Sequence, residues 1–182
     1  LYCPVNRDEF YVLMGAMVDD EAACATPIDV DLWAGSFPAL RFLFERVAAQ
    51  SDWDQARWAQ FQIVRLKRWS AGRVAVLGDA AHGMPPYLAQ GAGHAMMNAL
   101  GLAVALEAAP DLAGGLTTWE RRERPLTEHT QRWTQIYGLT LGLPKALKPI
   151  LIGMEQHLPW LAAQYVRAAN HVPTGCVPVT RY

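Results

Sequence analysis

Residues 73–106 run from a short branched apolar stretch, Arg73-Val74-Ala75-Val76-Leu77, through Gly78-Asp79-Ala80-Ala81-His82 and Pro85-Pro86 to Gln90-Gly91-Ala92-Gly93 and a long apolar helical pattern. That order leaves few folds open. A β-prone run that ends at an acidic residue, a Gly/Pro loop and a helix start predict a strand, a turn and a helix in direct succession. The first N–H groups of a helix have no partner inside it and point outward as donors. The corner therefore suits polyol and anionic groups, and the stretch reads as a cofactor-binding turn.

The rest of the composition restricts partners. A chain of 182 residues that is 52% hydrophobic can bury a core of its own. Its 16 Lys and Arg nearly balance 17 Asp and Glu, so no overall field draws it to nucleic acid or an anionic membrane. Two local basic groups, Arg65-Lys67-Arg68 and Arg121-Arg122-Arg124, read as solvated faces, the second because Glu120 and Glu123 interleave with it. Cys3, Cys24 and Cys176 are far apart and lack ligand spacing, so no metal site is expected and a reducing compartment, the cytoplasm, fits best. No secretory signal opens the chain, and Leu1 followed by strand-like residues is read as the start of a piece of a longer protein.

Residues 83–106 carry no formal charge and would satisfy a simple hydropathy count. Pro85, Pro86, Gln90, His94 and Asn98 argue against lipid, and the helical part falls short of the ~20 residues a span needs. The expectation is a buried helix and no membrane span.

Periodicity predicts a strand within residues 9–18, a helix over 38–49 with Ser36 as its N-cap, a strand over 60–69, a tight turn at Ala71-Gly72 and a strand over 73–77. A helix over 92–108 follows, stopped by Pro110. The next runs over 117–137, kinked or restarted at Pro125, and the tail over 143–169 is divided by Pro149 and Pro159. The class is α+β: sheet strands, a strand-loop-helix motif and a helical tail.

Gly78, Asp79, Ala80, Ala81, His82, Pro86 and Gly91 stand where the flavin-contact motif of the FAD-dependent aromatic hydroxylases, the para-hydroxybenzoate hydroxylase-like monooxygenases, has the same residues. The chain resembles that family. The resemblance implies that Asp79 accepts from a ribityl hydroxyl, that Gly78 lets the backbone pass close, and that the N–H groups of Gly91, Ala92 and Gly93 meet the isoalloxazine. It further implies that the Pro86 carbonyl faces the reacting ring and that Met84 and Tyr87 line the substrate pocket, packing of the loop on the core being the other reading of those two. Departures are Ala89 where the pattern has Gly, Gly93 where it has Asn and Asn98 where many members have Asp. A lone His82 without ligand partners reads as a structural hydrogen-bonding residue.

The N-terminal βαβ unit with its Gly-x-Gly-x-x-Gly fingerprint is absent from this sequence. The expected organisation is therefore residues 1–72 as part of a substrate-binding sheet domain, 73–110 as the FAD-contact segment and 111–182 as a C-terminal helical region. What the resemblance implies is the C-terminal part of a monooxygenase in which NAD(P)H reduces FAD and O2 forms a flavin hydroperoxide that hydroxylates a small aromatic or heteroaromatic substrate. Epoxidation, halogenation or reduction on the same fold is the alternative outcome. An inactive fragment that binds a partner, such as the missing N-terminal half, is the reading from another class. Exposed apolar docking surface would make the chain self-associate, a homodimer being one expected form.

Overall fold

The computed structural model describes residues 1–51, 53, 58–144 and 146–177. They form a mixed fold of helices and small sheets in two compact units, Leu1–Gln60 and Phe61–Tyr182.

In the first unit, β1 (Tyr2–Pro4) and β2 (Phe10–Val12) pair antiparallel, with Cys3 opposite Tyr11. The turn between them is built on Asn6, whose side-chain oxygen accepts the N–H groups of Asp8 and Glu9 at 2.8 Å each. The strand expected within residues 9–18 is thus only three residues long, because after the Leu13 N–H to Leu1 carbonyl bond the chain has no paired neighbour among the described residues. Helix α1 (Val30–Ser36) starts at Asp29, which accepts the Leu32 N–H at 3.0 Å. Ser36 ends this helix instead of capping the next one. The next begins as a 3-10 turn at Pro38–Leu40 and continues as α2 (Arg41–Ala48). Ala23, Ile28, Trp33, Ala34 and Phe44 make the core of this unit.

The second unit opens without the strand expected over 60–69. Its backbone groups are met from elsewhere: Arg124 donates to the carbonyls of Leu66 and Lys67, Gln131 to that of Val64, and the Val64 N–H donates to Gly83. A short hairpin follows, β3 (Ser70–Ala71) against β4 (Val74–Ala75), turning at Gly72. Then come a single helical turn, α3 (Asp79–His82), a 3-10 turn at Pro86–Leu88 and the long helix α4 (Gly91–Ala108).

Helix α5 (Leu112–Leu141) runs antiparallel to α4, as His94 meets Thr130, Asn98 meets Thr127 and Gly101 meets Glu123. Gly101 is required for this crossing: a Cβ there would come within 2.6 Å of the Glu123 carboxylate. Of the two outcomes expected at Pro125, a kink or a restart, the restart does not occur: α5 is one continuous helix with Pro125 inside it. A proline in a helix interior costs about 3 kcal/mol, and here the burial of Trp119, Thr127, Thr130 and Thr134 along the same helix offsets it. Helices α6 (Lys148–His157) and α7 (Pro159–Tyr165) carry Pro149 and Pro159 in their first turns, where a missing N–H costs nothing.

The core of this unit is Trp69, Ala81, Ala105 and Trp119 with Leu66, Val76, Leu77 and Leu102 around it. No helix among the described residues is long and apolar enough to cross a membrane. Of the basic residues read as a solvated face, Arg121 and Arg122 are exposed. Arg124 is not: half-buried, it joins Glu120 at 2.7 Å, Glu128 at 2.6 Å and the two carbonyls of the preceding loop.

Candidate flavin-contact corner

Gly78 has a positive φ of 65°, the left-handed side of backbone space that glycine enters without steric cost. The chain turns there from the hairpin into α3, and this turn aims Asp79 outward. The Asp79 side chain is exposed and makes no hydrogen bond or ion pair among the described residues. Asp79 is the first residue of α3, one past its N-cap Gly78, and its carboxylate is open to a ligand.

Gly78 stands beside the second turn of α4, its Cβ position 3.8 Å from the Ala95 methyl. The first intrahelical bond of α4 is His94 N–H to the Gln90 carbonyl at 3.0 Å, so the N–H groups of Gly91, Ala92 and Gly93 precede it. No side chain caps this end. Space in front of Gly93 is open, since a Cβ there would meet nothing within 4 Å. The structure thus sets Gly78 beside the second turn of α4, next in sequence to a carboxylate without a bond and one turn from three N–H groups without intrahelical partners, groups of the kind that bind a polyol chain and an electron-rich ring.

The remaining residues of the motif divide. Met84 is half-buried, with its Cγ 3.8 Å from the Cβ position of Gly91, so it supports the helix start from below. Pro86 is exposed at the head of the 3-10 turn, and its carbonyl accepts the Ala89 N–H at 2.9 Å, leaving its second lone pair. Tyr87, at the second position of the same turn, lays its ring against Gly138 of α5. Ala89, where the hydroxylase pattern has glycine, is held at φ 53°, so the loop keeps the conformation that glycine would have eased.

His82 is fully buried and accepts from Asn98 Nδ2 at 2.9 Å. From Asn98 a buried chain continues to Thr127 at 3.3 Å, from Thr127 to His94 Nδ1 at 3.1 Å and from His94 Nε2 to Thr130 at 2.8 Å. Burial lowers the pKa of His82 below the ordinary imidazole value. Burial, helped by the neighbouring histidines, takes His94 down to about 4. Both rings are neutral at pH 7, in keeping with a structural role. The sequence reading missed this network, although polar residues at 94 and 98 on one apolar helix and at 127, 130 and 134 on the next are spaced to share a face.

Residues 2–134 match a protein-family model described as the FAD binding domain. The chain belongs to this family. It is 39% identical over 153 residues to the 2-heptyl-3-hydroxy-4(1H)-quinolone synthase of Mycobacteroides abscessus, a match over 84% of this chain and 40% of that protein. It is also 39% identical over 88 residues to the 3-amino-4-hydroxybenzoate 2-monooxygenase PtmB3 of Streptomyces platensis, over 48% of this chain and 22% of that one. Among solved structures, the tetrameric form of 2-methyl-3-hydroxypyridine-5-carboxylic acid oxygenase superposes with a TM-score of 0.78 at 32% identity, covering 97% of this chain and 44% of the oxygenase. The chain spans less than half the length of each of these proteins. That oxygenase forms a tetramer and gives no support to the expected homodimer.

Proposed function

We propose that this chain supplies the ribityl and ring side of a flavin site in an FAD-dependent monooxygenase that hydroxylates a small aromatic or heteroaromatic substrate, with NAD(P)H as reductant and O2 as co-substrate. The observation that carries the proposal is the pairing of the free Asp79 carboxylate with the uncapped N-terminus of α4 behind a family match over residues 2–134. The relatives named as monooxygenases and an oxygenase favour hydroxylation as the outcome.

Asp79 would accept from a ribityl hydroxyl, a charge-assisted bond that fixes the cofactor along the turn at Gly78. The N–H groups of Gly91, Ala92 and Gly93, with the partial positive charge of an 18-residue helix behind them, would hold negative charge on the pyrimidine edge of the ring. When bound, FAD supplies the redox chemistry and the activation of oxygen. The free lone pair of the Pro86 carbonyl would orient a phenolic hydroxyl of the substrate, with Met84 and Tyr87 as candidate pocket residues. The adenosine side of the cofactor needs a βαβ unit, which would come from the missing N-terminal half.

The test is a titration of the purified chain with FAD, riboflavin and ADP, followed by flavin absorbance and fluorescence. FAD and riboflavin should bind, ADP should not, and Asp79→Asn should weaken both flavins about tenfold, the worth of one charge-assisted hydrogen bond. Equal binding of ADP, or flavin affinity indifferent to Asp79→Asn, would rule the half-site out.

A further inference from the structure

A cleft of about 540 Å3 lies on the flank of α5 turned towards the Pro85–Tyr87 loop, lined by Ile63, Tyr87, Arg132, Gln135, Ile136 and Leu139. It holds neither Asp79 nor the first residues of α4, and it shares Tyr87 with the substrate pocket proposed above. Its volume is within the ordinary range for small-molecule sites, and its walls are apolar side chains left in contact with solvent: Ile63, Tyr87, Ile136 and Leu139 are all exposed.

Arg132 and Gln135 bring donors to this cleft. Arg132 is exposed and uses only Nε, which donates to the Glu128 carbonyl at 3.3 Å, and the terminal nitrogens of its guanidinium have no partner among the described residues. Gln135 accepts from Arg65 through its amide oxygen at 2.9 Å, which turns the NH2 group the other way. That nitrogen is buried and has no hydrogen-bond partner. Leaving such a donor unpaired costs about 1–3 kcal/mol, which an incoming acceptor would recover.

The walls are held in place. Thr134 donates to the Pro85 carbonyl at 3.0 Å, Gln131 donates to the carbonyls of Val64 and Gly83 at 2.7 and 3.1 Å, and the Tyr87 ring rests where a Cβ on Gly138 would come within 2.5 Å of it. Such a site is built before any ligand arrives.

We propose that this cleft binds an amphiphilic carboxylate, its apolar body against Ile63, Tyr87, Ile136 and Leu139 and its carboxylate on Arg132, with the Gln135 amide as second donor. A fork of guanidinium N–H groups beside an amide donor matches two carboxylate oxygens, and no acidic side chain lines the cleft to compete. The proposal does not rest on the flavin reading.

The experiment is isothermal titration of the 182-residue chain with octanoate and, separately, with octanamide, which has a similar apolar body and no charge. Octanoate should bind with a Kd of about 1 mM and at least about tenfold tighter than octanamide. Arg132→Gln should remove that difference while leaving octanamide unchanged, and Ile136→Ser, one turn along the same helix, should weaken both ligands about tenfold. Arg132 and Ile136 are exposed, so both variants should fold, which circular dichroism will establish. Equal affinity for the two ligands, no heat from octanoate up to about 20 mM, or octanoate affinity indifferent to either substitution would overturn the proposal. FAD titration of the same samples reads the Asp79 corner separately, so a failure of one site leaves the other legible.

Discussion

Asn98 Nδ2 lies 2.9 Å from Nε2 of His82, and this bond joins the end of the motif helix α3 to the middle of α4. It ties the helical turn that begins at Asp79, three residues before His82, to α4. The imidazole is packed at 5.4 Å from the Trp69 ring, so the bond is made in an apolar setting.

Replacing Asn98 by Leu removes the donor to His82 and to Thr127 together and leaves the imidazole nitrogen buried without a partner. The expected loss is about 2–3 kcal/mol of folding stability. Urea denaturation of the wild type and the Asn98→Leu variant measures it. An unchanged midpoint would show that the network contributes nothing to the fold.

The two buried histidines make stability depend on pH. Their folded pKa values lie below the unfolded value of about 6.5, with His94 at about 4, so between these limits the unfolded chain binds more protons than the folded one. Stability is therefore full above pH 6.5 and falls as the pH drops towards 4. The His94 contribution to this fall is about 3 kcal/mol. Denaturation midpoints measured from pH 7.5 to pH 4.5 should decline in the wild type and decline less steeply in His94→Gln. Parallel curves for the two proteins would show that His94 protonates as freely in the fold as outside it.

Ala89 pays for its left-handed conformation at φ 53°. Glycine relieves the clash of Cβ with the following carbonyl but adds freedom to the unfolded chain, and the first effect is the larger. Ala89→Gly should therefore stabilise the protein by about 0.5 kcal/mol, seen as a rise in Tm of a degree or more, about what that energy gives a chain of this size. A lower Tm would mean that the loop is not held in this conformation in solution.

Arg124 takes the place of a neighbouring strand for residues 66 and 67. Burial works to raise the pKa of Glu120, but hydrogen bonds from the Trp69 and Ser70 backbone and from Arg124 and the Ser70 hydroxyl outweigh it and hold the carboxylate below its usual range. Arg124→Lys keeps the charge and loses the planar fork that reaches two carbonyls and two carboxylates at once. The variant should lose about 1–2 kcal/mol, and amide exchange at residues 64–70 should accelerate more than in α4. Uniform acceleration across both would sink the assignment of Arg124 as the local tether.

The order of elements around Gly78 was legible along the chain. Gly78, Asp79 and the start of α4 are adjacent in sequence, and a strand, a glycine turn and an uncapped helix start are each local structures with local signals. Residues 60–69 were not legible, because their alternating apolar pattern is a strand pattern and only the side chains of Arg124 and Gln131, about sixty residues later, show that the backbone is satisfied another way. Ser36 misled for a nearer reason: Asp29 had already capped a helix that ends there.

By itself the sequence determined the order of elements from Gly72 to the helical tail, the motif that marks the family, and the near-neutral charge, all of which depend on residues within a few turns of one another. Tertiary structure alone decided that His94 and Asn98 meet Thr127 and Thr130, that α5 stays whole through Pro125, and that the Tyr87 ring rests against Gly138. Each of these depends on which face of α5 packs against which segment, and burial of side chains far apart in the chain, rather than local propensity, selects that packing.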